Sequence, residues 1–275
     1  MPELPEVETV KNALKKLIIN KTISDVEVRC EKLIKNVSVE EFTSTLTNQT
    51  FRDVRRYGKY LLIDLDKNTL VSHLRMEGKY NYYDEIITPT KHDHVIFYFT
   101  DNTMLCYNDT RQFGTMELVA LHDENSLKGI DKLGLEPFDK KLTKEYLYKK
   151  ASKKSITIKQ FLLDQSIITG LGNIYVDEVL FRVKLHPKTK VNTISIDKFD
   201  EIIKASKEIL KKAIKAGGTT VHSFLVTGNI SGKFQNQLYV YGREGEECLE
   251  CGTTIKKFKL SGRGTHYCPH CQGEL

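Results

Sequence analysis

Apolar positions along the chain change period twice. From Thr9 to Leu17 they recur at helical spacing, with Val10, Ala13, Leu14 and Leu17 on one face, which predicts an amphipathic helix. Beyond it the period falls to two. Residues 23–28, 51–54, 60–65, 69–74 and 94–100 alternate apolar and polar side chains between Gly, Asn, Asp and Lys turns, so they read as strands. Residues 1–133 therefore predict a β-rich domain with an N-terminal helix. From about Lys141 the helical period returns, over 142–151, 158–165, 174–182 and 197–216. The last of these ends at Gly217-Gly218. A polar stretch over 228–237 reads as a mobile loop, and 237–241 as a short strand leading into a cysteine-rich end. The pattern predicts an α+β multidomain chain with boundaries at 1–133, 134–245 and 246–275.

The last segment carries the strongest purely physical signal. Cys248-x2-Cys251 and Cys268-x2-Cys271 supply four thiolates in two knuckles, the spacing of a closed tetrahedral structural zinc site. A catalytic zinc needs an open position, and four thiolates leave none, although His266 or His270 in place of one cysteine stays open at this point. Between the knuckles, residues 255–265 place apolar and basic side chains around a Ser-Gly turn, which predicts a β-hairpin with Arg263 at its tip. A solvated basic surface would look the same as a phosphate-gripping finger.

Composition narrows the class. Of 275 residues, 40% are hydrophobic and 28% charged, which is the make-up of a folded globular chain and excludes intrinsic disorder. A formal net charge of +6 favours polyanionic partners. No apolar run approaches the roughly 20 residues that span a bilayer, and the N-terminus lacks a signal-peptide pattern, so a cytosolic protein without a membrane role is expected. In such a compartment the paired cysteines favour metal over disulfides, leaving Cys30 and Cys106 as ordinary buried thiols.

The charge is unevenly spread. Lys149, Lys150, Lys153, Lys154 and Lys159 form one basic cluster and Arg52, Arg55, Arg56 and Lys59 another. Either reads as a solvated face or, with the hairpin, as one side of a nucleic-acid-binding surface. Gly170-Leu171-Gly172-Asn173 joins two helices through tight turns, and Asn173 as an N-cap would leave amide hydrogens pointing outward for phosphate. Met76 and Phe113 follow strands at turns, as edge-of-core residues do and as base-step wedges do. Against the basic trend, the chain opens MPELPEVE. Acids ahead of a helix suit its N-terminus, but that does not account for Pro2-Glu3 before the cap.

Taken together, MPELPEVE, Gly58-Lys59-Tyr60, Arg111-Gln112-Phe113, Gly170-Leu171-Gly172-Asn173 and the four-cysteine ribbon with Arg263 resemble the formamidopyrimidine-DNA glycosylase family, bacterial repair enzymes for oxidised purines. The resemblance runs end to end. It implies a two-layer β-sandwich, a helix-two-turn-helix domain and a zinc finger, with duplex DNA in the cleft between. It implies removal of 8-oxoguanine and formamidopyrimidines by base flipping, followed by strand nicking through β,δ-elimination. Loss of Met1 would free the Pro2 amine as nucleophile. Glu3 would be general acid, Glu6 and Glu77 supporting carboxylates, Lys59 the donor for β-elimination and Arg263 the donor for δ-elimination and a phosphate ligand.

By the same resemblance His73, His92, Arg111, Lys154, Asn173 and Tyr241 match DNA-contacting positions. Met76, Arg111 and Phe113 match the trio that fills the space left by a flipped nucleotide, with Arg111 facing the orphaned cytosine. The segment 217–237 matches a loop that closes over the extruded base. One structural zinc, no organic cofactor, a monomeric state and a bacterial cytoplasmic, nucleoid-associated location complete the expectation. The sister glycosylase for oxidised pyrimidines is the nearest alternative, and a catalytically silent zinc-containing nucleic-acid-binding protein is another. Glu-Leu-Pro-Glu-Val and the Met76, Arg111, Phe113 set favour the purine enzyme, and the presence of Pro2, Glu3 and Lys59 disfavours a silent binder.

Overall fold

A computed structural model describes residues 1–219 and 232–273. The backbone gathers into two compact units, Met1–Asp131 with Gly217–Gly232, and Lys132–Ala216 with Lys233–Leu275.

The first unit begins with helix α1, Leu4–Ile18, which starts five residues earlier than its apolar period suggests. Two prolines make this region look like a helix breaker. Proline is tolerated in a first turn, however, where its missing N–H has no helical partner to lose, and Pro5 sits there with Glu3 as N-cap. Strands β1 (Ile23–Val28), β2 (Asp53–Tyr57), β3 (Tyr60–Asp64), β4 (Asn68–His73), β5 (Lys79–Tyr83), β6 (Asp93–Phe99), β7 (Met104–Asn108) and β8 (Thr115–Ala120) follow, with helix α2 (Val39–Leu46) between β1 and β2. They form two antiparallel sheets of four strands, ordered β1-β6-β7-β5 and β2-β3-β4-β8.

Alternation explains the layering. Val95, Phe97 and Phe99 of β6 enter a core shared with Val54, Leu61, Ile63, Leu70, Met116 and Leu118 of the other sheet and with Val7, Val10 and Leu14 of α1. Ile96 points the opposite way, into a small cluster with Met104 and Cys106. The two sheets and their shared core form the expected two-layer β-sandwich. Sequence reading did not anticipate α2, β5 or β8, and it gave no bounds to the strand before Asp109, which is β7. All five residues of β7 are buried, so the alternation that marks a half-exposed strand is missing.

In the second unit, helices α3 (Lys144–Ala151), α4 (Ile158–Leu163), α5 (Asn173–Arg182) and α6 (Ile196–Lys215) surround a core that includes Leu147, Phe161, Tyr175, Val179, Phe199 and Leu210. Thr143, Thr157 and Ser195 cap α3, α4 and α6 by accepting from the backbone N–H groups of Tyr146, Gln160 and Lys198. Gln165 staples the two-turn connection from α4 to α5. Its Nε2 donates to the carbonyls of Leu163 and Leu171 at 3.0 and 2.8 Å, and its Oε1 accepts from Gly170 N at 2.9 Å.

The C-terminal part is a hairpin, β9 (Lys256–Leu260) and β10 (Arg263–Tyr267), followed by the one-turn helix α7, Pro269–Gln272. Ser261 and Gly262, both left-handed with φ of 48° and 79°, make the two-residue turn that matches strand twist. The strand expected over 237–241 does not form. Phe234–Gln237 is a 3-10 turn and the next residues bend. Their N–H groups are held by a buried carboxylate and not by a neighbouring strand. Residues 228–231 of the expected mobile loop lie outside the described residues.

Phe97 is fully buried and meets Phe51 edge-on with ring centroids 6.0 Å apart. Phe97→Ala is expected to cost about 3–5 kcal/mol. Urea unfolding followed by circular dichroism checks this, and a loss below about 1 kcal/mol would show that the sandwich core is not tightly packed there.

Candidate functional site

In the first unit the chain start is fixed from within. Pro2 and Glu3 are buried, and Met1 before them is 41% exposed. Glu6, one turn into α1, is only 3% exposed and holds two segments at once. Its Oε2 accepts from Glu3 N at 2.9 Å, while its Oε1 accepts from Thr219 N at 2.8 Å and Thr219 Oγ1 at 3.1 Å. The expected supporting carboxylate therefore ties the residue after Pro2 to the base of the 217–237 segment. A Cβ on Gly218 would lie 2.8 Å from Glu6 Oε1, and its φ is +79°, so this position needs glycine twice over.

Lys59 is placed by a hairpin turn. Tyr57 and Tyr60 pair across it, Gly58 supplies φ +57°, and Lys59 is 7% exposed. Arg56 links this turn to α1 by donating Nε to Glu8 at 2.7 Å and Nη1 to the Gly58 carbonyl at 2.9 Å. Burial pushes the Glu8 carboxyl up, but hydrogen bonds from Lys11 and Arg56 prevail and leave it below the usual range. Sequence reasoning took the arginines here as a basic cluster. Each instead faces an acid: Arg52 pairs with Asp66, Arg55 with Asp64 and Glu124, and Arg56 with Glu8. Their charge is spent on the fold.

His73 ends β4 and packs edge-on against the Tyr60 ring, with centroids 4.5 Å apart. Burial, then the positive charges of Arg75 and Lys59, push its pKa down to about 3. The ring is neutral at pH 7, and Nδ1 accepts from Arg75 N at 3.0 Å. Met76 and Phe113 stand 38% and 51% exposed on turns after β4 and β7. The Arg111 guanidinium lies over the Phe113 ring, 4.7 Å from its centroid. Glu77, next to Met76, and His92, just before β6, are half-buried.

In the second unit a buried polar network seats the hairpin on the helices. Lys159, 1% exposed, donates to Asp177 Oδ1 at 2.6 Å and to the Gly264 carbonyl at 3.1 Å. Asp177 Oδ2 accepts from His266 N at 2.9 Å. Asn173 Nδ2 donates to the same Gly264 carbonyl at 2.9 Å. Lys159 therefore leaves the expected basic surface: it is the partner of a buried carboxylate. Asn173 is likewise not a cap. Gly172 is the N-cap of α5, and the Asn173 side chain turns to the hairpin instead of its own helix.

Glu178, next to Asp177, accepts from the N–H groups of Tyr239, Val240 and Tyr241, each at 2.9 Å. Burial raises its carboxyl against the opposing pull of those three donors. Tyr241 packs on His266 at 4.9 Å between centroids, Arg263 is exposed at the start of β10, and Lys154 lies 3.8 Å from Asp164. Neither Asp177 nor Glu178 carries a sequence signal, because an acid in a helix gives no sign of what folds against it.

The four cysteines converge. Their sulfurs lie within 4.8 Å of one another, with Cys248 to Cys271 at 4.0 Å and Cys251 to Cys268 at 3.5 Å. Tetrahedral zinc with bonds of about 2.3 Å sets sulfurs about 3.8 Å apart, so the donor set fits. The Cys271 N–H donates to Cys268 Sγ at 3.4 Å, which orients that ligand. His266 is engaged with Asp177 and Tyr241, and among the described residues the cluster consists of the four cysteines. This is a structural zinc site.

The two-turn connection seated on a zinc ribbon places the chain among helix-two-turn-helix proteins with a structural zinc finger. Family models match it in three consecutive parts: a formamidopyrimidine-DNA glycosylase N-terminal domain over residues 1–116, an H2TH domain of the same enzymes over 133–224, and a zinc finger found in FPG and IleRS over 245–273. The chain belongs to the formamidopyrimidine-DNA glycosylase family. It is 48% identical over 273 residues to the formamidopyrimidine-DNA glycosylase of Oceanobacillus iheyensis, covering 99% of this chain and 98% of that one. It is 50% identical to that of Lactobacillus helveticus, covering 99% of each. A Lactococcus lactis Fpg complexed with DNA containing N7-benzyl-Fapy-dG superposes with a TM-score of 0.92 at 40% identity, covering 99% of this chain and 100% of that one. A complex of the Lactococcus lactis protein with DNA containing an abasic site gives 0.91 at 39%, with the same coverage.

Two predictions follow from this geometry. In the unfolded chain His73 takes up a proton near its ordinary 6.5, whereas in the fold it does so only near 3, so the unfolded state binds more protons between these values. Stability contributed by His73 is therefore lost as pH falls through that window. His73→Gln should reduce the loss between pH 7 and pH 5 by on the order of 2 kcal/mol, read from urea unfolding. For zinc, Cys251→Ser or chelation should remove close to one equivalent of metal and melt the C-terminal module first. A module that keeps its hydrogen-exchange protection without metal would contradict a structural role.

Proposed function

We propose that this chain excises oxidised purines from duplex DNA and then nicks the abasic site. The observation that carries this reading is the buried Pro2-Glu3 start, held by Glu6 in a member of this glycosylase family. Removal of Met1 leaves Pro2 with a secondary α-amine. Such an amine has a reference pKa of about 7.7–8.0, so a useful fraction is neutral at physiological pH. Its lone pair attacks the sugar C1′, the C1′–N bond to the base breaks, and Glu3 delivers the proton needed by the ring oxygen or the departing base.

The attached nitrogen gives up its proton, the C1′–O4′ bond opens with the ring oxygen taking a proton, and the product is a ring-opened iminium on the Pro2 nitrogen, which has no N–H to lose and stays cationic. That charge acidifies the C2′ proton. Its removal expels the 3′ phosphate by β-elimination, and a second elimination expels the 5′ phosphate. Lys59 is assigned to proton transfer in the first elimination, and Arg263 to the second and to phosphate binding. Water then releases Pro2 from the sugar remnant.

The remaining assignments follow the same reading. His73, His92, Lys154, Asn173 and Tyr241 contact the DNA, with Glu77 supporting. Met76 and Phe113 wedge into the stack while Arg111 faces the orphaned cytosine, offsetting part of the few kcal/mol that eversion costs. The functional segments are 1–133, 134–245 and 246–275. The enzyme acts as a monomer in the bacterial cytoplasm, on the nucleoid. Among the described residues no helix is long and apolar enough to cross a membrane.

Borohydride trapping tests the reading on protein shown by mass spectrometry to lack Met1. The substrates are duplexes with 8-oxoguanine opposite cytosine and with 5-hydroxyuracil in parallel. The expected result is a covalent adduct mapped to Pro2 that forms faster with the purine. Faster trapping on the pyrimidine would select the sister enzyme, and absence of adduct on both would leave a binding protein.

A further inference from the structure

The two turns that carry Met76 and Phe113 are built alike, and neither is held by the residues expected to meet DNA alone. Each begins where a strand ends, at His73 for β4 and Asp109 just after β7. In each, that residue's side chain accepts the N–H two positions on: Arg75 N to His73 Nδ1 at 3.0 Å, and Arg111 N to Asp109 Oδ1 at 3.1 Å. The residue just before the exposed apolar side chain is then left-handed, Arg75 with φ of 54° before Met76 and Gln112 with φ of 53° before Phe113. Non-glycine residues adopt this conformation only when their surroundings impose it.

Asp109 supplies most of that imposition in the second turn. It is fully buried, and its Oδ2 also accepts from Phe113 N at 2.9 Å and Gly114 N at 2.8 Å. Its own backbone is fixed from both sides, by N–H donation to the His92 carbonyl at 3.1 Å and by the His94 Nε2 contact to its carbonyl at 3.0 Å. One carboxylate therefore orients three peptides of the turn, those that supply the N–H groups of Arg111, Phe113 and Gly114.

Tyr107 joins the two turns. A Cβ added at Gly78, which closes the first, would lie 2.1 Å from the Tyr107 hydroxyl, and one at Gly114, which closes the second, would lie 1.7 Å from it. Both glycine backbones thus press on one buried phenol, whose ring is wedged edge-on against Tyr80 with centroids 5.2 Å apart. The spacing between the Met76 turn and the Phe113 turn is set by that side chain.

We propose that Asp109 and Tyr107 are positioning residues for base eversion: Asp109 shapes the Arg111–Phe113 turn, and Tyr107 holds it at a fixed distance from the Met76 turn. The proposal rests on the reading of Met76, Arg111 and Phe113 as the group that fills the emptied stack. Neither positioning residue touches the reacting atoms. Their influence falls on steps that need the wedge, namely extrusion of an intact damaged base and discrimination of the base left behind.

The test compares full-length, zinc-loaded wild type with Asp109→Asn and Tyr107→Phe under single-turnover conditions. Substrates are 8-oxoguanine opposite cytosine, 8-oxoguanine opposite adenine, and a preformed abasic site, which has no base to unstack. In Asp109→Asn the side-chain amide keeps one acceptor and loses the other. Excision opposite cytosine should fall on the order of tenfold. Cleavage of the abasic site should stay within about twofold and the preference for cytosine over adenine should narrow. Tyr107→Phe, which keeps the ring and opens a gap between the glycines, should show the same pattern at smaller amplitude. Unchanged excision and unchanged cytosine preference in Asp109→Asn would overturn the proposal. So would a loss equal on all three substrates that tracks a lowered folded fraction in thermal melts. If Asp109→Asn does not fold, Tyr107→Phe decides by the same ratio of excision to abasic cleavage. Wild type inert on the lesion would instead sink the functional reading beneath the proposal.

Discussion

The Glu6 carboxylate is the constraint that fixes the start of the chain in the first unit. A chain terminus normally frays, because few contacts oppose its conformational entropy. Here one buried carboxylate accepts the N–H beside Pro2 with one oxygen and the Thr219 backbone and hydroxyl with the other. Both ends of that arrangement depend on it. Without Glu6 the Glu3 peptide and Thr219 would each lose a buried acceptor, a cost that falls on the start of the helix and on Thr219 together. The close approach leaves no room at Gly218 for a side chain.

The second unit solves a related problem with neighbouring acids. Asp177 and Glu178 sit side by side in α5, yet they serve different segments, the Lys159 and hairpin network on one side and the bend at 239–241 on the other. Both are almost fully buried, and both satisfy several donors, which is what makes burial of a carboxylate tolerable. Arg263 and Tyr241 are carried by segments that these two acids hold, Arg263 by the strand whose His266 N–H donates to Asp177 and Tyr241 by its own N–H to Glu178.

Much of this was legible in sequence, and the reasons differ by feature. The thiolate ribbon and its hairpin follow from ligand spacing and a Ser-Gly turn, both local signals. Helices α3 to α6 follow from the helical period, although the cap expected of α5 at Asn173 falls on Gly172. The bounds of strand β7 were hidden because it is buried on both faces, and α1 was read short because Pro2 and Pro5 look like a break, although Pro2 lies before the N-cap and Pro5 sits in the first turn, where it is tolerated. The supposed strand at 237–241 failed for the opposite reason: its apolar residues are real, but its donors are satisfied by Glu178. Lys159 and the arginines of β2 were misread as surface because charge along a sequence says nothing of its partner. Asp109 and Tyr107 gave no signal at all, since their roles exist only across turns distant from one another in the chain. The chemistry assigned to Pro2 and Glu3 came from family resemblance and not from pattern.

The Lys159 and Asp177 pair separates two kinds of electrostatics in the same hairpin. Mobile ions screen exposed charges over roughly 8–10 Å at ordinary ionic strength, but they scarcely reach a pair enclosed by protein. Arg263, exposed on β10, is open to that screening, whereas the lysine that holds the adjacent Gly264 carbonyl is not. Added salt can therefore compete for the arginine's counter-charges without loosening the strand that presents it.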